Sequence, residues 1–363
     1  MARLRRLLLV LALASCQSNR PPRIEVSDVG RFDFALEAPG VGQAPPDGLS
    51  GIVYLGGDEF LVASDASAYL SRLAIRLNRA TGEVISVEPR GGLQLRSEDG
   101  APMVGAQLKD REDLALASGG AQLIVANERC GPAPPLPCVE IHDLATGRLI
   151  KRAGPGDDPQ LAIFEKVELN MGFEAVASMP GNEGYWVATE RALEIDGGPA
   201  TADAGSPVRL QRLSAGLSGT GQFVYLTDRI SRPVRAGEPL ARFSGSRIVG
   251  MAALASGALV TLENILQGDA SGSAETRIRI YQVSISGATD VSAPEFASGL
   301  KGRDYQPASK RLLVELVFAG TDSNYEGITL GPRLDNGEYA LLLVRDNGTG
   351  PDQSIQALRL RAN

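Results

Sequence analysis

Acidic side chains recur at two positions of a repeated segment, and these residues are the ones most able to do chemistry. The first position opens an apolar run, and the second closes the strand-like run that follows it. Sixteen residues separate the two positions in two copies, 112 to 128 and 174 to 190, and 15, 14 and 20 residues separate them in the others. The first set comprises Glu112, Glu174 and Glu326, with Ser50 and Val249 at that position in the remaining copies. The second set comprises Asp65, Glu128, Glu190, Glu263 and Asp346.

Antiparallel pairing would bring the two positions of each copy together, because the start of one strand then lies beside the end of the next. Repetition around a ring would gather the acids at one mouth, and we expect Glu112, Glu174, Glu190 and Glu326 to converge there. Clustered carboxylates repel one another, so they must be protonated, paired with cations or bound to a metal. Their hard oxygen atoms suit Ca²⁺ or Mg²⁺, and a bound metal could hold a phosphate ester and activate water. All eight acids are therefore candidate metal or ligand-binding residues, with Ca²⁺ as the expected cofactor and no catalytic residue assigned.

A purely structural role for these acids stays open, because Arg129, Arg191 and Arg345 each lie beside a strand-end acid and could pair with it. Serine-esterase chemistry is disfavoured. The one histidine, His142, falls in the third run of its copy, away from the expected mouth. A Ser-His-Asp esterase needs a histidine base beside its serine, and the chain has no Gly-x-Ser-x-Gly motif.

The same repeat predicts the architecture. Each copy has a first apolar run, a turn, a second run that ends in an acid, and a third run. Residues 208–213, a third run, alternate apolar and polar as a half-buried strand does. Fourth runs follow at 83–88, 148–152 and 222–226, and four-stranded units of this kind are typical of propeller blades. The first three runs of the five copies cover residues 49–54, 59–65 and 73–77; 111–116, 122–128 and 139–143; 172–177, 184–190 and 208–213; 248–253, 258–263 and 278–283; 325–330, 339–346 and 355–360.

We therefore predict an all-β fold, a single β-propeller with five recognised repeat units, which occupies residues 24–363. A sixth blade could lie in residues 216–244 or 288–319, where further strand-like runs occur. Residues 24–36 also have the pattern of a strand, which we expect to pair with the last blade and close the ring. Closure by strands from both termini removes the sheet edges that would otherwise be exposed.

The N-terminal residues have the pattern of a secretion signal. Three arginines precede an apolar run at 7–13, which is too short to span a bilayer, and small residues follow it. Leu13-Ala14-Ser15-Cys16 resembles the site at which a bacterial lipoprotein is acylated on its cysteine and cleaved before it. The resemblance implies a signal peptide at 1–15, a lipidated Cys16 and a proline-containing tether at 16–23. The alternative is a plain secreted protein with a chance cysteine.

Charge and cysteine content agree with export. Without residues 1–15 the chain has 33 basic residues (36 − 3) against 43 acids, a net charge of −10, and it has no basic tract, so we expect no nucleic-acid partner. Gln17 after the anchor favours the outer membrane of the cell envelope, facing the periplasm or the surface. Cys130 and Cys138 flank a proline-rich stretch and are expected to form a disulfide, with a metal pair as the alternative. We expect a monomer.

Three repeated motifs resemble those of a known family. They are Gly48-Leu-Ser-Gly-Ile-Val53, Asn170-Met-Gly-Phe-Glu-Ala-Val-Ala177 and Asn324-Tyr-Glu-Gly-Ile-Thr-Leu-Gly-Pro332, with the strand-end pairs Ser64-Asp65, Thr189-Glu190 and Leu262-Glu263. Together they look like the phytase-like, or "esterase-like activity of phytase", domain over residues 45–361. The resemblance implies hydrolysis of a phosphate ester or another ester on a propeller. The fourth copy departs from the family, because Val249 stands where similar sequences often carry an acid.

Two functions stay open at this point. The first is a phytase-like envelope lipoprotein that acts as a metal-dependent phosphoesterase through its clustered carboxylates. The second is a non-catalytic propeller that binds a small molecule or a protein at the envelope. The fold alone does not decide between them, because one architecture hosts many functions.

Overall fold

The computed structural model describes residues 23–36, 48–64, 67–103, 110–117, 119–131, 135–237, 241–320, 323–348 and 352–362. Within these residues the chain forms five antiparallel sheets of four strands each, the blades of one β-propeller. The predicted all-β propeller is therefore confirmed. The signal segment at 1–15, the lipidation residue Cys16 and the candidate ligand Asp65 lie outside the described residues.

The strands follow one another through the blades in chain order, after a first strand β1 (Ile24–Ala35). Blade 1 contains β2 (Leu49–Gly56), β3 (Glu59–Ser64), β4 (Ser67–Leu77) and β5 (Val84–Gln94). Blade 2 contains β6 (Arg111–Leu116), β7 (Gln122–Cys130), β8 (Leu136–Asp143) and β9 (Leu149–Ala153). Blade 3 contains β10 (Phe173–Ser178), β11 (Tyr185–Thr189), β12 (Pro207–Leu213) and β13 (Gly219–Leu226). Blade 4 contains β14 (Gly245–Ala253), β15 (Leu259–Gly268), β16 (Ala274–Ser284) and β17 (Ser309–Ala319). Blade 5 contains β18 (Asn324–Arg333), β19 (Tyr339–Asp346) and β20 (Asp352–Ala362). Short 3₁₀ helices lie at Ala162–Lys166, Pro180–Asn182, Ala241–Phe243 and Pro294–Phe296.

The fourth strand of blade 5 comes from the other end of the chain. Strand β1 pairs antiparallel with β20, from Ile24 opposite Ala362 to Ala35 opposite Asp352. This pairing confirms the predicted closure of the ring by strands from both termini. The segments 216–244 and 288–319 do not form a sixth blade, because they supply β13 and β17, the outer strands of blades 3 and 4.

The hydrophobic core is divided among the five interfaces between neighbouring blades, each filled by its own cluster of buried side chains. A middle strand is therefore covered on both faces. The alternation in β12 predicted a half-buried strand, yet Arg209 and Gln211 are as buried as Leu210 between them. The Arg209 guanidinium donates to the Asp196 carboxylate at 2.7 and 2.9 Å, which satisfies its charge inside the protein.

The strands nearest the ring axis, β2, β6, β10, β14 and β18, share one irregularity near their starts. Each contains a β-bulge, which falls at Ser50-Gly51 in β2 and at Glu112, Glu174, Val249 and Glu326 in the other four. A bulge adds one residue to a strand and turns its side chain away from the regular alternation. One position at each bulge packs against the neighbouring inner strand. It is the second bulge residue in β2 and the residue after the bulge in the other four strands, and it is small in every blade except blade 2: Gly51, Asp113, Ala175, Gly250 and Gly327.

Small residues are needed there because neighbouring inner strands almost touch. A Cβ atom on Gly250 would lie 2.7 Å from the Glu326 carbonyl oxygen of the next blade. A Cβ atom on Gly51 would lie 2.8 Å from the Cα atom of Asp113. Both contacts are with backbone, which cannot move aside without opening the ring.

The disulfide between Cys130 and Cys138 joins the end of β7 to β8, with the two Cα atoms 5.9 Å apart. Cys130 lies two residues after Glu128, so the crosslink fixes the backbone close to one of the predicted site acids.

Substitution of Gly250 tests how closely the inner strands pack. We expect Gly250→Ala to lower the free energy of unfolding by about 1–3 kcal/mol, because the added methyl group would overlap the backbone of blade 5. Urea denaturation followed by circular dichroism measures the change. Gly156→Ala is the control, since a Cβ atom there meets nothing within 4 Å, and it should shift stability by less than about 0.5 kcal/mol. Equal stability of the two variants would contradict the packing described here.

Candidate functional site

A cavity of about 850 Å³ opens at the end of the ring where the inner strands begin and the second strands end. We refer to this end as the mouth and to the cavity as the carboxylate cavity. Six of the predicted site residues line it, namely Glu112, Glu128, Glu174, Glu190, Glu326 and Asp346. The four acids expected to converge, Glu112, Glu174, Glu190 and Glu326, therefore meet in one space. The cavity volume lies in the range that small-molecule sites occupy.

Two local features place these acids. Glu112, Glu174 and Glu326 are the bulged residues of β6, β10 and β18, and the bulge directs each side chain into the cavity. In blades 2 and 3, Glu128 and Glu190 directly follow the last residues paired with the inner strands. The amide of Glu128 donates to the carbonyl of Asp110, and the amide of Glu190 donates to the carbonyl of Gly172. Antiparallel pairing thus brings the two sets of acids to the same end of the blade. The bulge determines that the side chains of the first set point into the cavity.

Glu263 does not line the carboxylate cavity, although the repeat placed it with the other strand-end acids. In blade 4, Ile248 pairs with Glu263, so Asn264 occupies the position that Glu190 has in blade 3. A shift of one residue along a strand turns the side chain to the opposite face. Asn264 lines the cavity, whereas Glu263 is fully buried between blades 3 and 4.

Glu263 is surrounded by hydrogen-bond donors and by one lysine side chain. Its carboxylate accepts hydrogen bonds from Ser246 Oγ at 2.9 Å and from the Asp228 amide at 3.0 Å. It also accepts from the Tyr225 hydroxyl and pairs with the Lys310 ammonium group. Glu263 is thus a structural ion-pair residue, with its partners supplied by the packing of two blades.

The centre of the carboxylate cavity is a group of three glutamates from blades 2 and 3. Glu112, Glu128 and Glu174 each offer a carboxylate oxygen, and these atoms all lie within 4.8 Å of one another. Glu128 also accepts a hydrogen bond from the Gly172 amide at 3.1 Å, which fixes its orientation. Three converging carboxylate oxygens form the kind of donor set that hard divalent cations prefer.

Burial and mutual repulsion raise the pKa values of the acids in the cavity. Burial, with the neighbouring charge of Glu190, raises the pKa of Glu128 to about 8. Burial also lifts the pKa of Glu174 well above its usual value, and the carboxylates of Glu112 and Glu190 add to the effect. The pKa of Glu326 is raised in the same way, by burial and then by Asp346. Burial and crowding therefore favour the protonated forms of these three carboxyl groups when no cation is bound.

Arg247 is a site residue that the sequence interpretation missed. Its side chain enters the cavity from β14 of blade 4, where it donates to Glu190 at 2.8 Å and to Asn324 Oδ1 at 3.1 Å. Burial opposes its charge, but the carboxylates of Glu190 and Glu326 outweigh burial and raise the pKa of Arg247. Val249, two residues later, is buried among apolar side chains. Blade 4 therefore supplies a cation where blades 2, 3 and 5 supply an acid, and an arginine two residues before the missing acid was the available signal.

The arginines next to the strand-end acids behave differently from one another. Arg129 lines the cavity and pairs with Asp110, rather than with the adjacent Glu128. Arg345 also lines the cavity, whereas Arg191 does not. Asp110 was a further residue missed by the sequence interpretation, and it adopts the left-handed conformation with φ 65° just before β6. Aspartate tolerates this conformation better than most residues, so its place at the mouth is structurally favourable.

His142 lies in β8, inside blade 2, as its position in the repeat predicted. Its ring nitrogens are 2.9 Å from the Gly147 carbonyl oxygen and 3.2 Å from a Glu140 carboxylate oxygen. It is fully buried and does not line the carboxylate cavity. The described lining of that cavity consists mainly of acids, asparagines and arginines, with Thr276 as its one hydroxyl residue, and contains no histidine, serine or cysteine.

Comparison with known proteins adds the family. The family model described as "Phytase-like: Esterase-like activity of phytase" matches residues 45–349. No curated protein matches the sequence. Similar solved structures include a mannose phosphorylase from Leishmania mexicana in complex with phosphate ion, with 7% identity over 90% of this chain and 87% of that chain and a TM-score of 0.42. Another is an α-L-arabinofuranosidase from Podospora anserina in complex with cellotriose, with 10% identity over 89% and 95% and a TM-score of 0.39. At this similarity the structures carry no argument about activity.

The raised pKa of Glu128 predicts that stability depends on pH. Between its unfolded value near 4.5 and its folded value of about 8, the folded protein holds more protons than the unfolded chain. The free energy of unfolding should therefore fall as pH rises from 5 to 8 in the presence of a chelator. One unit of pKa corresponds to about 1.4 kcal/mol, and we expect a loss of at least that size. Urea denaturation at each pH gives the measurement.

Two variants isolate the group responsible. Glu128→Gln is neutral at every pH and should flatten the decline, whereas Glu168→Gln removes an exposed acid outside the cavity and should leave it unchanged. A wild-type protein whose stability is constant or increases from pH 5 to 8 would show that these carboxyl groups are not held protonated.

Proposed function

The chain belongs to the phytase-like family, and from that premise we propose that it is a metal-dependent phosphoesterase whose site is the carboxylate cavity. Glu112, Glu128 and Glu174 would hold the cation, which we expect to be Ca²⁺. The observation that carries this proposal is the convergence of their oxygen atoms within 4.8 Å inside a buried cavity. Oxygen ligands without nitrogen or sulfur favour a hard cation over zinc or copper.

The cation would also relieve the repulsion described above. A bound divalent ion supplies the positive charge that three close carboxylates lack, so their protons would leave as the ion enters. A metal in such a site can polarise a phosphoryl oxygen and activate a water molecule. The protein's part is to hold three oxygen ligands at fixed spacing on two neighbouring blades.

Three arginine side chains in the cavity favour a phosphate ester as the ligand. Arg129, Arg247 and Arg345 line the same cavity as the glutamates, and guanidinium groups match the geometry of phosphate oxygens. Arg247 is held by Glu190 and Asn324, so its position does not depend on a ligand. A site with a cation position and adjacent guanidinium groups can bind a doubly charged phosphate monoester from two sides.

An assay with a generic phosphate monoester, with and without Ca²⁺, tests the proposal. We expect turnover that Ca²⁺ stimulates and that Glu174→Gln reduces roughly 100-fold, since metal catalysis supplies several kcal/mol. Glu263→Gln is the matched control, because Glu263 belongs to the same repeated set but lies outside the cavity. This control should retain Ca²⁺-stimulated turnover per folded molecule. Turnover that is absent, or equal in the Glu174 and Glu263 variants, would refute the phosphoesterase.

The second candidate is a non-catalytic propeller that binds a ligand or a protein at the cell envelope. One observation favours it: the described lining of the cavity has no serine, cysteine or histidine, so hydrolysis depends on metal-activated water. The same experiment separates the two functions. Ca²⁺ binding measured by calorimetry without any turnover would support a binding protein.

We also propose that the protein is a lipoprotein anchored through Cys16. Among the described residues, no helix is long and apolar enough to cross a membrane. Strand β1 begins at Ile24, opposite Ala362, at the end of blade 5 away from the mouth. The segment from Cys16 to Ile24 reaches at most roughly 30 Å. A short tether at this end would leave the carboxylate cavity facing away from the membrane, open to small solutes.

Membrane fractionation tests the anchor. We expect Cys16→Ser to move the protein from the membrane fraction to the soluble fraction and to abolish labelling by a radioactive fatty acid. Cys130→Ser is the control, since it removes a different cysteine and should leave the protein in the membrane fraction. Membrane association that survives Cys16→Ser would contradict the lipoprotein proposal.

A further inference from the structure

One buried carboxyl group lies at the centre of the ring and is not part of the carboxylate cavity. Asp113 follows the bulge of β6, at the position that glycine or alanine occupies in the other four blades. Its side chain is fully buried. The carboxylate accepts a hydrogen bond from the Leu114 amide at 2.8 Å, from the Val176 amide at 2.9 Å and from the Met251 amide at 3.4 Å.

These three amides belong to three different blades. Leu114 lies in blade 2, Val176 in blade 3 and Met251 in blade 4. Blades 2 and 4 are not neighbours, so a side chain that reaches both must extend across the ring axis. The small residues of the other blades leave room for it, since the Cα atom of Asp113 approaches the position of a Cβ on Gly51. Asp113 therefore joins the inner strands of three blades through one side chain.

The residues that these hydrogen bonds join lie close in the chain to residues of the carboxylate cavity. Asp113 is adjacent in sequence to Glu112, Val176 is two residues after Glu174, and Met251 is four residues after Arg247. Each strand that Asp113 binds therefore carries a side chain of the site. The amides it satisfies are backbone donors of inner strands, and a buried amide left without an acceptor destabilises the fold.

We propose that Asp113 is a positioning residue for the carboxylate cavity. Its hydrogen bonds to blades 2, 3 and 4 set the spacing of the strands that carry Glu112, Glu174 and Arg247. The inference rests on the proposed cation site for its binding readout, while the hydrogen bonds themselves are tested separately.

Burial raises the pKa of Asp113 well above its usual value, even though three backbone amides favour the ionised form. An asparagine at this position could not accept the same three hydrogen bonds. The asparagine NH₂ group would face an amide donor whichever way the side chain is turned. Asp113→Asn therefore removes hydrogen bonds while keeping the volume of the side chain, and Asp113→Gly restores the small residue found at this position in three other blades.

The experiment compares these variants with Asp196→Asn. Asp196 is also a buried aspartate, but it binds Arg209 and the Leu300 amide away from the inner strands. Ca²⁺ affinity is measured by calorimetry, and hydrogen exchange is measured at the Val176 and Met251 amides. We expect both Asp113 variants to weaken Ca²⁺ binding by about tenfold or more and to accelerate exchange at both amides by about tenfold or more. Asp196→Asn should leave both quantities unchanged.

The outcomes separate this inference from the proposed function. Faster exchange with unchanged Ca²⁺ affinity would overturn the positioning role and leave Asp113 a structural residue. Unchanged exchange in a folded Asp113→Gly protein would overturn the hydrogen bonds on which the inference depends. Wild-type protein that binds no Ca²⁺ would refute the cation site. Exchange at Val176 and Met251 would then still decide whether Asp113 holds the three strands.

Discussion

Five inner strands share one axis, and the distance at which they pack governs the rest of the molecule. The Cβ position of Gly250 is 2.7 Å from the backbone of blade 5, so this level of the ring has no spare room. A bulge just before it lets each strand turn one side chain toward the mouth while the next residue packs against its neighbour. The same local irregularity therefore builds both the tight ring and the carboxylate cavity above it. Asp113, the one large residue at this level, fills the space that the small residues leave.

Electrostatic repulsion is the consequence of that geometry. Ring closure brings Glu112, Glu128 and Glu174 together out of water, where carboxylates cannot all be ionised without a cation. The pKa values of Glu128 and Glu174 are raised because burial and the neighbouring carboxylates make ionisation of either group unfavourable. Three buried carboxyl groups at one point favour a proton or a positive charge there, so the proposed cation binding would be linked to proton release and to stability.

Much of the fold could be predicted from the sequence, because each repeated set of short apolar runs, separated by turns, has the pattern of the strands of one blade. The five blades and the pairing of β1 with β20 follow from that pattern. Register could not be predicted. Glu263 and Asn264 are adjacent, and only the pairing of Ile248 with Glu263 shows that Asn264 faces the cavity. The burial of Arg209 could not be predicted either, since an alternating pattern predicts an exposed face and the Asp196 that pairs with Arg209 lies in the connection between β11 and β12.

The departure of the fourth copy from the repeat now has a physical reason. Glutamates at the bulges of blades 2, 3 and 5 already crowd the cavity, and a further acid in blade 4 would lie between those of blades 3 and 5. The sequence has Val249 at that point and Arg247 two residues earlier. Arg247 binds Glu190 of blade 3 and, through Asn324, reaches Glu326 and Asp346 of blade 5. Arg247 thus lies between Glu190 of blade 3 and the acids of blade 5, while the three-glutamate group belongs to blades 2 and 3. An acid at this point of blade 4 would have added a further carboxyl group to the cavity, whereas the loss of symmetry in blade 4 places Arg247 among the carboxyl groups.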